Sequence, residues 1–297
     1  MSTRARPRER SRLVQLWRLA RTSRPRTFTE KVRYKMLRDH RPLLVTFADK
    51  AAVRDYVVAR IGDGYLPRAI AVLDDPDELR SIALPDRYVL KPTHGSGAVL
   101  VVSPDASESA RLPEADSSWV YRHVRPEHAS SDRLAAIGRH WMTQLYGQGP
   151  NREWAYGHVP RRIIVEELLE DGVGSIPEDF KIFTFHGEPR FIQVDAGRFG
   201  GRTQDFYRPD WQHLEMSGGP AWADPPRPRP QRLDEMLEIA RRLGAETDFV
   251  RVDLYHLQDR VVLGELTSYP AGGDSPFSPE SFNAEFGRAW TVPRRYR

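Results

Sequence analysis

The stretch FVRVDLYHLQDRVVLGELTSYP has the alternating pattern of a β-hairpin and carries two acids, an arginine and a threonine along its strands. With the turn centred near Asp259, antiparallel pairing places Asp253 opposite Glu265 and Arg251 opposite Thr267. Successive side chains of a strand point to opposite faces, so all four are expected on the same face. Like charges that are directly opposed destabilise a sheet, so the two carboxylates imply a cationic partner.

Two carboxylates beside an arginine would suit a divalent cation and a phosphate group, and oxygen ligands favour Mg²⁺ or Mn²⁺. The same pattern would also describe a solvated polar face on which Arg251 neutralises both acids. The opposite face of the hairpin, formed by Val252, Leu254, Val262 and Leu266, is expected to face the core.

A second stretch, YVLKPTHGSGAVLVV, places Lys91 at the end of a strand, just before His94, Gly95, Ser96 and Gly97. Backbone N–H groups in glycine-rich turns can cradle phosphate oxygens. Because the lysine precedes the glycines and a strand follows them, this is not a P-loop. The stretch is interpreted as a flexible hairpin that closes over a nucleotide, and the alternative is an ordinary turn.

Lysine is rare in this chain, with five lysines among 45 basic residues, so a lysine at a given position is informative. Lysine supplies a compact point charge where arginine supplies a planar fork. Lys50 lies at the expected start of a helix that runs to about Ile61. Lys181 lies within the strand DFKIFTF among aromatic residues, where it needs an anionic partner.

Further candidates follow two other strands. Glu166 and Glu167 end the apolar strand of IIVEELLEDG, a position from which backbone groups and a carboxylate could bind adenine. Arg198 and Arg202 flank two glycines and could clamp a carboxylate or phosphate. As single arginines among many, both also fit a surface role.

The composition excludes several kinds of chemistry. The 297 residues contain no cysteine, which excludes disulfides, thiolate metal sites and cysteine nucleophiles. No apolar run approaches the roughly 18 residues of a membrane span, and no signal-peptide pattern is visible. A cytoplasmic protein is therefore expected. Residues 1–41 hold 14 lysines and arginines against three acids, although the whole chain has a net charge of +4.

The pattern of elements favours an α+β fold, because hairpins outnumber strand–helix–strand units. Helices are expected over residues 132–146 and from Arg232 to Leu243. Strands are expected over 163–166, 180–185 and 191–195.

The order of these features, a lysine before a glycine-rich hairpin, a Glu-Glu hinge and an Arg-x-Asp…Glu-x-Thr hairpin, resembles the ATP-grasp superfamily. The local motifs resemble its TupA-like branch over about residues 24–290, in TFTEKVRYKMLRD, FADKAAVRDYV, LPDRYVLKPTHGSG, REWAY, RIIVEELLEDG, DFKIF, FIQVD, RVDLY and GELTSYP. This resemblance implies two α+β lobes that clasp ATP, residues 24–165 and 166–297, after a basic arm, residues 1–23.

The resemblance also implies roles for individual residues. Lys50 and Lys91 would bind the nucleotide phosphates, and His94 to Gly97 would form the flap over them. Glu166, Glu167 and Leu168 would form the hinge that faces the adenine, and Glu170 or Asp171 would contact the ribose. Lys181 would be the strand lysine near the adenine or the phosphates. The metal ligands would be Asp253, Glu265 and Thr267, the last where many members have asparagine. Arg251 would contact the transferred phosphoryl group, and Arg198 and Arg202 would hold the acceptor carboxylate or acylphosphate.

The implied activity is that of an ADP-forming carboxylate–amine ligase that uses ATP and Mg²⁺ (or Mn²⁺) through an acylphosphate. The branch implies that an amino acid is joined to a carboxylate of a cell-surface polysaccharide or peptide precursor. The alternatives are phosphoryl transfer to a small molecule and nucleotide binding without turnover. Residues 1–41 would contact an anionic polymer or the inner membrane face rather than nucleic acid, and related enzymes suggest a homodimer.

Overall fold

A computed structural model describes residues 24–147, 153–170, 177–197 and 201–296 of the chain. Residues 69–166 form a five-stranded sheet in the order β1-β5-β2-β3-β4. Its strands are β1 Ala69–Leu73, β2 Tyr88–Pro92, β3 Val99–Val102, β4 Tyr121–Val124 and β5 Ile163–Glu166. The pair β3–β4 is parallel and the other neighbours are antiparallel.

A six-stranded antiparallel sheet in the order β11-β10-β6-β7-β8-β9 follows in the chain. Its strands are β6 Asp179–Phe185, β7 Glu188–Ala196, β8 Thr203–Tyr207, β9 His213–Leu214, β10 Phe249–His256 and β11 Val261–Thr267. The two sheets together with the helices confirm the predicted α+β class.

The helices begin and end at residues whose chemistry explains their limits. They are α1 Phe28–Arg38, α2 Pro42–Ala48, α3 Ala52–Ile61, α4 Ser131–Thr143, α5 Leu233–Gly244 and α6 Ser281–Arg288. Thr27 and Glu30 form a capping box at the start of α1. The Asp49 carboxylate accepts the backbone N–H of Ala51 at 2.8 Å before α3, and Gly62 ends that helix with φ of 90°.

The core of the described residues is divided among three hydrophobic clusters. One cluster lies within the five-stranded sheet and its helix α4, and its members include Leu90, Leu134 and Trp141. The other two lie on opposite faces of the six-stranded sheet, where α5 and α3 cover one face and α1 and α6 cover the other. Helices α1 to α3 therefore pack on the six-stranded sheet although they precede the five-stranded sheet in the chain.

The face of the six-stranded sheet under α1 and α6 is divided between two kinds of side chain. Phe183, Phe185 and Phe249 fill the half that these helices cover. Along the same strands and the same face, Lys181, Arg251 and other charged residues occupy the other half. Because side chains alternate along β6 and β10, these charged residues lie together on one face of the sheet. Helices α1 and α6 do not cover this charged half.

Two details of the sequence-based prediction are wrong, the end of one helix and the pairing of one hairpin beyond Asp253. Helix α4 ends at Thr143 rather than at residue 146, because its apolar face is complete at Trp141 and Leu145 is exposed. A bulge follows Asp253, so Leu254 pairs with Leu263 rather than with Gly264, and Val261 and Leu263 rather than Val262 join the core cluster on this face.

Candidate active site

A cleft lies between the edge of the five-stranded sheet and the hairpin β10–β11. It holds about 480 Å³, including the part open to solvent. Its polar lining comes from five distant segments of the chain and includes Lys50, Lys91, Tyr156, Glu166 and Glu265. Four of these residues, Lys50, Lys91, Glu166 and Glu265, are site candidates from the sequence. These four residues were all predicted from the sequence to serve one site, and the fold brings them to one cleft.

Lys91 and Glu166 meet because their strands β2 and β5 are hydrogen-bonded neighbours. The Lys91 Nζ lies 2.5 Å from Oε2 of Glu166, and an Nη of Arg54 lies 3.0 Å from its Oε1. The Glu166 side chain is 6% exposed, so one buried carboxylate is shared by two cations. A lysine held in this way is positioned at the cleft.

Lys50 reaches the glycine loop from the turn that precedes α3. Its ammonium group donates to the carbonyl oxygen of Gly95, and its backbone N–H donates to Thr93 O at 3.2 Å. Burial lowers the pKa of Lys50 to about 8, and the nearby Lys91 acts in the same direction while Glu265 opposes it. This lysine therefore carries a positive charge whose hydration is incomplete.

The predicted flap is held by aromatic side chains. His94 is buried, and its Nε2 lies 3.1 Å from the carbonyl oxygen of Trp141, while its Nδ1 has no partner among the described residues. The Trp119 indole donates to Ser96 O at 2.8 Å. Gly97 has φ of 89°, a conformation that glycine adopts readily. His94 thus anchors the loop, and the Lys50 contact comes from the backbone of Gly95.

The carboxylate hairpin has the predicted register, with Asp253 opposite Glu265 and Arg251 opposite Thr267. The Arg251 guanidinium donates to both oxygens of Asp253, at 2.7 and 2.6 Å. The same group donates to Glu265 and to Thr267 Oγ1, each at 3.1 Å. Thr267 in turn donates to Glu265 at 2.7 Å. Arg251 is therefore the cation that the opposed carboxylates require in this structure.

The two carboxylates of the hairpin differ in their protonation. Burial raises the pKa of Asp253 to about 7, and the cations Arg251 and Lys181 offset only part of this effect. At Glu265 burial acts in the same direction, but Arg251, Lys50 and the Thr267 hydroxyl lower the pKa to about 2. Glu265 is thus ionised throughout the physiological range, whereas burial disfavours the charge of Asp253 and its contact with Arg251 opposes this effect.

Lys181 extends the charged face toward β7. Its ammonium group contacts Asp179 directly and lies 3.2 Å from Asp195 and 3.9 Å from Asp253. Burial opposes its charge, but Asp253, Asp179 and Asp195 together raise the pKa of Lys181. The predicted anionic partners of this lysine are therefore carboxylates of the protein.

The Glu-Glu hinge joins the two sheets. Glu167 Oε1 accepts the backbone N–H of Arg68 and a guanidinium N–H of Arg260, both at 2.8 Å. Arg260 lies in the turn of the β10–β11 hairpin, so this contact ties the hinge to the carboxylate hairpin. Leu168 follows in the same extended segment, and Glu170 is bound to Arg87.

The structure describes only one of the two arginines that were predicted to hold the acceptor carboxylate or acylphosphate. Arg202 has an exposed side chain that lies 3.8 Å from Asp195, at the outer end of the charged face. Arg198 and Asp171 lie outside the described residues, as does the arm 1–23. No feature of the described chain assigns either arginine a substrate, so both roles stay predictions.

Oxygen donors at the hairpin meet one requirement for Mg²⁺. Asp253, Glu265 and Thr267 present two carboxylates and a hydroxyl, the ligand types that hard cations prefer. Within the described residues, no three His, Cys, Asp or Glu side chains form a cluster that could hold a metal ion. These oxygen donors are of the type that Mg²⁺ takes, and Arg251 contacts all three of them in this structure.

Three residues of this region were missed by the sequence analysis. Arg54 lies in the first turn of α3, four residues after Lys50, and its short distance in sequence from that predicted lysine was a usable signal. Asp195 ends the strand FIQVD. Tyr156, from the stretch REWAY, lines the cleft, although nothing in its local sequence indicates this.

The fold and the site define an ATP-grasp protein, and the comparison with known families agrees. The family described as TupA-like ATPgrasp matches residues 30–291. The chain belongs to the TupA-like ATP-grasp family, as its motifs predicted. A comparison with curated protein sequences finds no match.

Solved structures resemble the chain at low identity. The ATP-grasp ligase PsnB with its minimal precursor is 11% identical, with a TM-score of 0.41 over 83% of this chain and 62% of PsnB. D-alanine–D-alanine ligase from Bacillus anthracis with ATP is 16% identical, with a TM-score of 0.42 over 83% of this chain and 65% of that one. The chain thus spans less than two thirds of either ligase.

A third solved structure, the D-cycloserine synthetase DcsG, is 14% identical with a TM-score of 0.42, over 84% of this chain and 70% of that one.

None of the helices in the described part of the chain has the length and apolarity that crossing a bilayer requires.

Proposed function

We propose that this protein is an ADP-forming carboxylate–amine ligase that uses ATP and Mg²⁺. Its substrates would be an amino acid and a carboxylate of a cell-surface polysaccharide or peptide precursor. The observation that supports this most directly is that Lys50, Lys91, Glu166 and Glu265 line one cleft although they are far apart in the chain. Family membership supplies the class of chemistry.

In this proposal the substrate carboxylate attacks the γ-phosphorus of ATP, and ADP leaves. The amine then attacks the carbonyl carbon of the acylphosphate, and phosphate leaves with the electron pair of the C–O bond. Lys50 and Lys91 bind phosphate oxygens, and Arg251 turns from the carboxylates to the phosphoryl group. When bound at Asp253, Glu265 and Thr267, Mg²⁺ would neutralise phosphate charge. Such charge stabilisation and positioning supply most of the catalysis in phosphoryl transfer.

A coupled ADP-release screen tests the proposal. Pairs of amino acids with uronic acids or short peptides are offered with MgATP, and products are identified by mass spectrometry. ADP release that requires both a carboxylate and an amine, with an amide product, supports ligation. ADP release without an amine and a phosphorylated product would establish phosphoryl transfer instead. Nucleotide binding with no turnover on any pair would contradict the enzymatic assignment.

The basic arm has a separate test. Deleting residues 1–23 is expected to leave ADP release unchanged and to weaken association with anionic polymers or vesicles of acidic phospholipid, an association that salt should reduce. Loss of ADP release on deletion would contradict a docking role for the arm. Sedimentation of the same proteins would test the predicted homodimer.

A further inference from the structure

Lys50 lies in a turn that is held in place by its neighbour Asp49. The Asp49 side chain is 2% exposed, and its two carboxylate oxygens have different partners. Oδ1 accepts the backbone N–H of Ala51 at 2.8 Å, and Oδ2 accepts a guanidinium N–H of Arg162 at 2.8 Å. The backbone N–H of Asp49 donates to Val45 O at 3.0 Å. One buried carboxylate therefore joins the turn before α3 to the residue that precedes β5.

Thr93 makes a second connection between the same two segments. Its carbonyl oxygen accepts the backbone N–H of Lys50 at 3.2 Å, and its own N–H donates to Arg162 O at 2.9 Å. The Thr93 hydroxyl accepts the backbone N–H of Arg162 at 3.2 Å and donates to Pro160 O at 2.9 Å. Thr93 is fully buried and directly precedes His94 of the flap. The Lys50 turn, the end of β2 and the start of β5 thus form one hydrogen-bonded unit.

Arg162 lies on the cleft side of the five-stranded sheet. Side chains alternate along a strand, so Arg162 shares a face with Ile164 and Glu166. Glu166 lines the cleft, and Ile164 pairs with Lys91 on the neighbouring strand. The Arg162 side chain is 25% exposed, and its guanidinium binds Asp49. Arg162 therefore acts on the residue beside Lys50 from the same face of the sheet that carries Lys91.

Lys50 differs from the other cations of the site in how its side chain is oriented. Lys91 is paired with Glu166, and Arg251 is paired with carboxylates of the hairpin. Among the residues that the structure describes, no carboxylate forms an ion pair with Lys50, and its ammonium group donates to the carbonyl oxygen of Gly95. The position of this ammonium group depends on the turn that carries it. A group that binds a ligand must be held within about 0.5 Å of its productive position.

We propose that Asp49 and Arg162 are positioning residues whose ion pair holds the turn so that the Lys50 ammonium group reaches the nucleotide phosphates. This inference rests on the nucleotide binding of the proposed function. Neither residue is assigned a contact with the nucleotide, because both act through Lys50. Breaking the pair leaves a buried carboxylate without its cation, and the turn then loses its side-chain contact with the start of β5.

Calorimetric titration with MgADP measures the effect. We expect Arg162→Gln to lower MgADP affinity about tenfold, because Lys50 would lose part of a hydrogen bond between charged groups. In a Lys50→Ala background the same substitution should change MgADP affinity less than about twofold, because the cation that it positions is absent. Arg208→Gln is the matched control: Arg208 donates to Glu285 at 2.7 Å and joins the end of β8 to α6, and its loss should leave MgADP affinity unchanged.

Asp49→Asn breaks the same pair from the other side. Asparagine keeps an oxygen that accepts the Ala51 N–H, but it lacks the charge that binds Arg162. This variant should lose as much MgADP affinity as Arg162→Gln, and the double variant should lose no more than either single one. Circular dichroism checks that each protein is folded.

The outcomes separate this inference from the proposed function. No MgADP binding by the wild-type protein would contradict the proposed function itself. MgADP binding by the wild type with the same affinity in Arg162→Gln and Asp49→Asn would overturn the positioning role alone. Equal losses from Arg162→Gln in the presence and in the absence of Lys50 would also overturn it, because the pair would then act on the fold rather than through Lys50.

Discussion

Every cation assigned to the phosphates is bound to an acceptor of the protein itself. Lys50 donates to the Gly95 carbonyl, Lys91 pairs with Glu166, and Arg251 pairs with Asp253 and its neighbours. Removing one partner of a buried pair leaves an uncompensated charge, so internal acceptors keep the ligand-free cleft stable. If ATP and Mg²⁺ bind as proposed, they would replace these partners together, and binding of the nucleotide would be coupled to binding of the metal.

The lowered pKa of Lys50 makes nucleotide affinity depend on pH. A lysine with a pKa of about 8 is protonated at pH 7 and largely neutral at pH 9. If phosphate binding requires the charged form, affinity for MgADP falls about tenfold over this range. Calorimetric titration at several pH values measures this. In Lys50→Arg the guanidinium stays charged, so the affinity of this variant for MgADP should not change with pH. The same pH dependence of MgADP affinity in both proteins would show that titration of Lys50 does not cause it.

Arg251 should exclude divalent cations until the nucleotide arrives. Its guanidinium contacts Asp253, Glu265 and Thr267, which are the predicted metal ligands. We expect the wild-type protein to bind no Mn²⁺ without nucleotide, and Arg251→Gln to gain binding because its carboxylates lose their cation. Electron paramagnetic resonance of free Mn²⁺ gives the bound fraction.

Arg242→Gln, an exposed arginine on α5, is the matched control. Equal Mn²⁺ binding by Arg251→Gln and the wild type would show that the guanidinium does not block the site.

At the scale of elements, the carboxylate hairpin could be predicted from the sequence because its turn and its alternation fix the register. Asp253 and Glu265 are paired as expected. The bulge beyond Asp253 could not be predicted, since Gly264 packs against the ring of Tyr255 and only the folded hairpin defines that contact. The packing of α1 to α3 on the later sheet was equally out of reach, because it depends on long-range contacts.

The flap depends on close packing of Gly95 against Trp119. A Cβ at residue 95 would lie 2.4 Å from Cζ2 of the indole, so the ring or the loop must move. That movement would break the bond from Trp119 to Ser96 O and displace the Gly95 carbonyl from Lys50. We expect Gly95→Ala to weaken MgADP binding, measured by calorimetry.

A double-mutant cycle checks the cause. In a Trp119→Ala background, the added methyl group meets no indole, so Gly95→Ala should have little further effect, a non-additivity typical of residues in contact. Additive losses would indicate that the alanine acts through its other neighbour, the Cβ of Tyr146 at 3.1 Å, instead.

At the scale of the whole molecule, the cleft depends on contacts between segments far apart in the chain. Glu167 and Arg260 link the hinge to the carboxylate hairpin. At the opposite end, Asn283 of α6 accepts the backbone N–H of Thr29 and donates to its hydroxyl, both at 3.1 Å. Asn283 thus holds the first turn of α1. The motifs predicted the candidate site residues, whereas long-range contacts of this kind determine that Lys50, Lys91, Glu166 and Glu265 line one cleft.

The contact between α1 and α6 should therefore control stability more than catalysis. A Cβ on Gly287 would lie 2.3 Å from the carbonyl oxygen of Arg26 and 3.0 Å from the backbone N of Phe28. Because backbone atoms cannot rotate away, we expect Gly287→Ala to lower the free energy of unfolding by about 1–3 kcal/mol. Urea denaturation measures this, with the denaturant midpoint falling and the slope unchanged.

Gly64→Ala is the control, since its Cβ would have no neighbour within 4 Å and its φ is not positive. It replaces the same residue type and adds the same methyl group, so both variants change the unfolded chain in the same way. The difference between them isolates the helix contact, which lies on the far side of the aromatic cluster from the cleft. MgADP affinity should be equal in the two folded proteins. Equal midpoints would mean that α6 is not seated against α1 in solution.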